Sequence, residues 1–255
     1  MSSKHLILPD TQIKHGNNLD FLERIGHYIA DKRPDTVVCL GDWADMESLS
    51  SYDVGKKSFE GKRYTKDIES AREGMSRLFK PIRELNKSLA KQHKKQYTPK
   101  LILTLGNHEN RINKAVNNDP KLDGVLSVDD LGYSEWGWDV FDFLDVIVLD
   151  GVAYSHYFTT GVMGRPCTSA AAQLNKKHMS CVAGHQQGLQ IATGHRADGK
   201  LITSVIAGSC YEHNEDYMGP QGNKHWRGVL VAHDVHDGQF DLMPVSLSYL
   251  EKKYG

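Results

Sequence analysis

Leu101-Ile102-Leu103-Thr104-Leu105-Gly106-Asn107-His108-Glu109 is a short apolar run that stops abruptly at residues able to hold a cation or move a proton. The same figure recurs along the chain. Residues 5–8 run into Pro9-Asp10, residues 37–40 into Gly41-Asp42, residues 152–155 into His156, and residues 181–183 into Gly184-His185. Runs of this length read as buried strands. Polar residues just past strand ends collect along one rim of a sheet, where α/β proteins place their sites. The pattern predicts a rim made of Asp10, Asp42, Asn107, His156 and His185, with His108 beside them.

Between the first three runs lie helical patterns, as a βαβ arrangement requires. Leu19, Leu22, Ile25 and Ile29 repeat at three or four residues behind Asn17 and Asn18, which can cap, and Pro34 closes the segment. A longer pattern passes through Ala71, Met75, Leu78, Ile82, Leu85 and Leu89, with Asp67 as its expected cap and Pro81 as an expected kink or break. Residues 80–100 carry seven basic residues and one acidic one, which reads as a solvated helix face. Residues 115–150 hold nine acidic residues against one basic, which reads as an acidic surface loop. Beyond residue 140 the texture turns to hairpins, since Asp150-Gly151 and Asp237-Gly238 each sit between strand-like runs. Gly161-Val162-Met163-Gly164 precedes a helical pattern over residues 169–177, but it lacks the Lys-Ser/Thr of a phosphate-cradling loop. Gly194-His195 echoes Gly184-His185; the strand directly before the latter makes it the better rim candidate. Trp226 is expected to open a further strand and pack in the core.

The chain has 255 residues, enough to bury a genuine core without disulfide staples, and no Pro/Ser-rich linker or internal repeat divides it. One domain over residues 1–255 is the simplest expectation. With 39% hydrophobic and 25% charged residues, disorder and fibrous structure are excluded. A net charge of −1 argues against a globally basic nucleic-acid binder, while leaving room for a local basic patch. The four cysteines are scattered, with no C-x-x-C pair, so free thiols in a reducing cytoplasm are expected. No stretch approaches the roughly 18 apolar residues of a membrane span. Thirteen histidines against four cysteines turn any metal hypothesis toward imidazole and carboxylate ligands.

Two metal ions that share a bridging carboxylate and a shell of Asp, Asn and His can clamp a phosphoryl group and activate water at neutral pH. The ordered blocks here are Asp10-Thr11-Gln12, Gly41-Asp42-Trp43-Ala44-Asp45, Gly106-Asn107-His108-Glu109, His156 and Gly184-His185-Gln186-Gln187. On these blocks the chain resembles the calcineurin-like metallophosphoesterases, whose pattern is D-x-H, G-D-x-x-D, G-N-H-E, a lone His after a strand, and G-H-x-H. Gln12 and Gln187 stand where that pattern has histidines.

The resemblance implies a four-layer α/β/β/α sandwich with its metal site at the C-terminal ends of the strands. It implies Asp42 as the bridge between two divalent ions, with Asn107, His156 and His185 completing one site and Asp10, Gln12 and Gln187 the other. Amide oxygens donate more weakly than imidazole nitrogens, so Mn²⁺ or Mg²⁺ is expected over Zn²⁺. His15 is a further nitrogen donor that could stand in near Gln12. His108 is implied as the proton donor to the leaving oxygen, Asp45 and Glu109 as loop-fixing groups, and Arg111 and Arg165 as candidates to hold phosphate oxygens through a planar fork. The implied activity is hydrolysis of a phosphomonoester or phosphodiester by metal-activated water. Similarity to stand-alone bacterial and phage-encoded members puts nucleic-acid ends or nucleotides first among substrates, with phosphoprotein behind. A member that binds nucleotide or a protein partner without hydrolysis is the alternative raised by the two glutamines, and a structural subunit the other. Oligomeric state is not legible.

Overall fold

Alternation along the central strands sets the layering. In β1 (Ser3–Leu8), β2 (Thr36–Cys39) and β3 (Lys100–Thr104), Leu6, Leu8, Val37, Cys39 and Leu103 pack into one core, while Ile7, Val38 and Ile102 pack into another. Successive side chains on a strand face opposite ways, so each strand is apolar on both sides and must be covered on both. The computed structural model describes residues 2–51, 54–215 and 218–255.

Two sheets supply the inner layers. The first has the order β11-β10-β1-β2-β3-β4, with β4 at Asp139–Phe141, β10 at Gly228–His236 and β11 at Gln239–Ser246. Strands β1 to β4 run parallel, and β10 joins β1 antiparallel. The second has the order β5-β6-β7-β9-β8, with β5 at Ile147–Leu149, β6 at Val152–Ser155, β7 at Cys181–Ala183, β8 at Leu189–His195 and β9 at Leu201–Ala207. Ile7, Val38 and Leu230 of the first sheet meet Tyr154, Val182 and Val205 of the second in a buried inter-sheet cluster. Helices α1 (Asp20–Lys32), α2 (Tyr64–Lys91) and α6 (Leu247–Tyr254) share the outer core of the first sheet, and α4 (Ala170–Lys177) packs on β7, β8 and β9. Short helices α3 (Asn110–Asn118) and α5 (Gly219–Gly222) lie between strands. This is the expected α/β/β/α sandwich. Among the described residues no helix is long and apolar enough to cross a membrane.

Four local expectations are corrected. Helix α2 runs unbroken through Pro81, because it is braced along α1, where a Cβ on Gly26 would lie 2.2 Å from the Leu78 carbonyl oxygen. Asp67 is not its cap but a buried residue of its first turn, accepting from the Ser48 amide at 3.0 Å and hydroxyl at 2.6 Å. Residues 115–150 are not merely a surface loop, for they contribute β4 and bury Leu131, Tyr133 and Trp138. Trp226 precedes β10, which begins at Gly228, and packs only partly buried against the inter-sheet cluster. The N-cap position of α1 is Leu19, which makes no side-chain cap bond; Asn18, one residue earlier, accepts from the Asp20 amide at 2.8 Å through its side-chain oxygen.

The two Asp-Gly pairs are hairpin turns with both residues left-handed: φ is 48° and 84° at Asp150-Gly151, and 46° and 80° at Asp237-Gly238. They interlock, the Gly238 amide donating to the Asp150 carbonyl at 2.8 Å. That contact joins the sheets at the end opposite the strand termini that carry the candidate site.

Candidate metal centre

Each of the five apolar runs is a strand, and the polar residue beyond it lies on the shared rim. The backbone there is contorted. Gln12, Asp42 and His185 have φ values of 41°, 49° and 67°, in the left-handed region that non-glycine residues avoid. Glycines make room beside them: a Cβ on Gly106 would lie 2.0 Å from Asp42 Oδ1, and one on Gly184 would lie 2.5 Å from Asp10 Oδ1.

The centre of the arrangement is Asn107. Its Oδ1 lies 2.9 Å from His156 Nε2 and 2.7 Å from His185 Nδ1. His156 Nδ1 donates to the Leu40 carbonyl at 2.7 Å, which turns Nε2 toward the rim. Nε2 also lies 3.4 Å from Asp42 Oδ2. Ligand atoms of Asp42, His156 and His185 all lie within 4.8 Å of one another. Two imidazoles, a carboxylate and an amide oxygen converging in this way are a donor set suited to a cation. Burial, followed by the proximity of His156, lowers the His185 pKa to about 4, so the His185 ring is neutral at neutral pH.

Asp10 lies on the other side of Asp42. Its Oδ1 accepts from the His185 amide at 3.0 Å, and its Oδ2 is 3.4 Å from Gln187 Nε2. Gln187 Oε1 is buried with no hydrogen-bond partner. Gln12 is buried, its backbone amide donating to the Asp42 carbonyl at 2.8 Å, and its side-chain amide bonds to no described residue. Burial and the Asp42 charge push Asp10 upward, whereas in Asp42 burial is outweighed by His108 and His156, which hold it below the ordinary carboxylate range. Two buried carboxylates and an orphaned amide oxygen fit a second cation. His15, by contrast, is not brought to the rim; it is exposed, 3.5 Å from Ser70 Oγ on α2.

His108 stands over this pair. Its amide donates to Asp42 Oδ1 at 2.9 Å, its Nδ1 contacts an Asp45 carboxylate oxygen, and its Nε2 is 3.7 Å from Asp42 Oδ2. Burial would lower its pKa, but Asp42 and Asp45 outweigh that and push it up to about 9. Arg111 Nη1 donates to the Asp45 carbonyl at 2.7 Å and lies 3.3 Å from that of Met46, while Nη2 lies 3.3 Å from His108 Nε2. Arg165 is elsewhere, on an exposed turn after β6. Glu109, fully buried, accepts from the amides of Gly106 at 2.8 Å and of Asp42 and Ala44 at 3.0 Å each, and from the Tyr133 hydroxyl at 3.2 Å. It ties the second and third rim loops together. His195 ends β8 and is exposed, so the rim uses Gly184-His185.

Three contributors were not singled out from the sequence. Tyr157 packs with its ring centroid 4.8 Å from that of His185. Lys14 Nζ lies 3.0 Å from Asp45 Oδ2 and 2.7 Å from Glu215 Oε2, bracing Asp45 from behind. Tyr157 adjoins His156 and had a local signal; Lys14 and Glu215 are 201 residues apart and had none.

No curated protein matches the chain. The sequence profile of the calcineurin-like phosphoesterases matches residues 4–237, nearly the whole chain. That family binds a dinuclear metal centre and hydrolyses phosphoesters. From the match, and from a two-sheet sandwich with Asp42, His156 and His185 converging at its rim, the chain belongs to the calcineurin-like phosphoesterase family and is a metal-dependent hydrolase.

Proposed function

We propose that this chain, acting as one domain over residues 1–255, cuts a phosphoester in a nucleic-acid end or a nucleotide, with Asp42 bridging two ions. Asn107, His156 and His185 hold one ion, and Asp10, Gln12 and Gln187 the other. The observation that carries this is the convergence of ligand atoms of Asp42, His156 and His185 within 4.8 Å of one another, with Asn107 Oδ1 2.9 Å and 2.7 Å from the two ring nitrogens. Bound ions supply an activated water and neutralise charge on the phosphoryl oxygens.

The chain's own residues do the rest. His108, braced through Nδ1 by Asp45, presents Nε2 and its proton to the leaving oxygen. With its pKa pushed up to about 9 despite burial, it is protonated at neutral pH. Arg111 spends Nη1 on the loop carbonyls and keeps Nη2 beside His108 for a phosphate oxygen. Amide oxygens at Gln12 and Gln187 favour Mn²⁺ or Mg²⁺ over Zn²⁺. Four free, buried cysteines agree with a reducing cytoplasm. Nucleic-acid substrates come first by resemblance to bacterial and phage members, and phosphoprotein stands behind them.

A metal-by-substrate screen tests this reading. The probes are p-nitrophenyl phosphate, bis-p-nitrophenyl phosphate and labelled DNA and RNA. Hydrolysis is expected only with added divalent metal and to include a nucleic-acid substrate. Turnover that persists in metal-free buffer after EDTA dialysis refutes the metal role, and metal-dependent turnover of the p-nitrophenyl esters with none of DNA or RNA refutes the substrate assignment.

A further inference from the structure

One element of the rim has no part in the hydrolytic chemistry. Directly after His156 and Tyr157 the chain forms a small hairpin, with Thr159 bridged to Pro166 and the Thr160 amide donating to the Arg165 carbonyl at 2.9 Å. Its foot is tied to the site. Tyr157, its ring tilted against that of His185, donates its hydroxyl to the Gly164 carbonyl at 3.2 Å; Gln186, next to His185, donates to the Cys167 carbonyl; and Phe158 and Cys167 are buried. Its tip is the opposite. Val162 is 105% exposed and Met163 80%. Scattered single apolar residues on a surface are ordinary, but adjacent ones held out on a braced turn beside a catalytic rim need a reason.

The charge around the hairpin indicates what meets it. Residues 151–197 contain no Asp or Glu, while carrying Arg165, Lys176, Lys177 and Arg196. Of these four, only Arg196 has an ion pair among the described residues, with Asp198. Lys176 and Lys177, on α4, are close enough to Cys167 at the hairpin's foot for their charges to act on its thiol. Residues 115–150, with nine acidic residues, present the contrary sign. The hairpin thus offers apolar contact at its tip and, beside it in Arg165, a positive charge with no ion pair among the described residues. An unpaired polynucleotide strand offers the complement, exposed base faces and a regular row of phosphates. Apolar side chains that wedge between bases are a known device of nucleic-acid binding, and Met is among them. An acidic peptide would answer the charge but has no need of the apolar pair.

We propose that the 159–166 hairpin engages an unpaired nucleic-acid strand, Val162 and Met163 lying against its bases and Arg165 holding a phosphate. This rests on the nucleic-acid reading of the substrate.

The test combines binding and turnover on the full-length chain. Binding of a labelled single-stranded oligonucleotide is followed by fluorescence anisotropy without divalent metal, and hydrolysis of bis-p-nitrophenyl phosphate and of the oligonucleotide with Mn²⁺. The double variant Val162→Ser with Met163→Ser should weaken strand binding about tenfold, the size of one lost base contact. It should keep bis-p-nitrophenyl phosphate turnover within roughly twofold, since no small ester reaches the tip. Arg165→Ala should reduce the slope of log affinity against log salt by about 0.7, one phosphate contact on a single strand. If wild type cleaves the oligonucleotide while these variants bind it as wild type does, the hairpin assignment is wrong and the substrate reading stands. If wild type hydrolyses the small ester but neither binds nor cleaves the oligonucleotide, the substrate reading fails and takes this proposal with it. If the double variant turns an assembly into a monomer on size-exclusion chromatography without altering strand affinity, the tip is a protein contact and the proposal is overturned.

Discussion

Glu109→Ala would separate the two central rim loops without removing any candidate ligand. Among the described residues the carboxylate is the sole acceptor for three buried amides, those of Asp42, Ala44 and Gly106, and it also takes the Tyr133 hydroxyl. A buried donor left without a partner costs roughly 1–3 kcal/mol. Three of them give about 3–9 kcal/mol, against a total stability of about 5–15 kcal/mol for an ordinary domain. Water entering the vacated space would favour the lower end. Glu109→Gln distinguishes this account from a simple loss of volume. The oxygen that accepts from both Asp42 and Gly106 can be kept, with the new NH₂ in the other position, where the Tyr133 hydroxyl can turn and accept from it. Only the Ala44 amide is then orphaned, so the loss is about 1–3 kcal/mol, or roughly 2–12 °C in melting temperature. The assay is urea unfolding followed by tryptophan fluorescence, which reports the buried Trp43 beside this loop. A Glu109→Ala variant destabilised by less than about 1 kcal/mol, or a Glu109→Gln variant as unstable as it, would refute the reasoning.

Asp42→Asn should leave less than about a tenth of wild-type turnover with the fold retained by melting, since a bridging carboxylate serves both ions; higher residual activity would deny it that place. His108→Asn should slow hydrolysis of alkyl or nucleoside esters by about 10²–10⁴ while sparing p-nitrophenyl esters, whose leaving group departs without a proton. Equal losses on both would make His108 a phosphate-positioning group. Metal-free protein should regain more activity with Mn²⁺ or Mg²⁺ than with Zn²⁺, and Gln12→His combined with Gln187→His should reverse that order; two tightly held zinc ions in the purified wild type would contradict the ligand-hardness argument. His5 is buried against Tyr154 and Asp150, and burial lowers its pKa, so it folds neutral. Its contribution is therefore present above about pH 6.5 and lost as the pH falls through the lowered value, because the unfolded chain binds the proton first. Chemical denaturation between about pH 7 and 5 should show a steeper stability loss in wild type than in His5→Gln, and parallel curves would exclude His5 as the cause.

The rim was legible because its residues follow short apolar runs, a signal that survives without knowledge of which strands pair. Asp10, Asp42, Asn107, His156 and His185 each stand within three residues of a strand end. The twin Asp-Gly turns were legible for a local reason as well, since few residue pairs accept two left-handed conformations in succession. What escaped depended on distant partners. Proline in a helical pattern forecasts a kink or a break, and the close approach of α1 at Gly26 accounts for the helix continuing unbroken past it. A dense acidic composition forecast a loop in residues 115–150, but Tyr133 and Trp138 are pulled inward by Glu109 and Met75, neither of which their neighbours in sequence reveal. Lys14 reads as one surface lysine among many until Asp45 and Glu215 are placed on either side of it.

The candidate ligands come from both sheets, Asp10, Asp42 and Asn107 from the first and His156 and His185 from the second. Cation affinity and the docking of one sheet on the other are therefore linked functions, each drawing on the other's free energy. Residues such as Ile102 and Val182, buried between the layers and not among the candidate ligands, belong to that linkage. Shaving them would lower the melting point directly and, through that linkage, loosen the grip on metal as well, so a screen for metal-affinity variants would recover the hydrophobic seam along with the ligands.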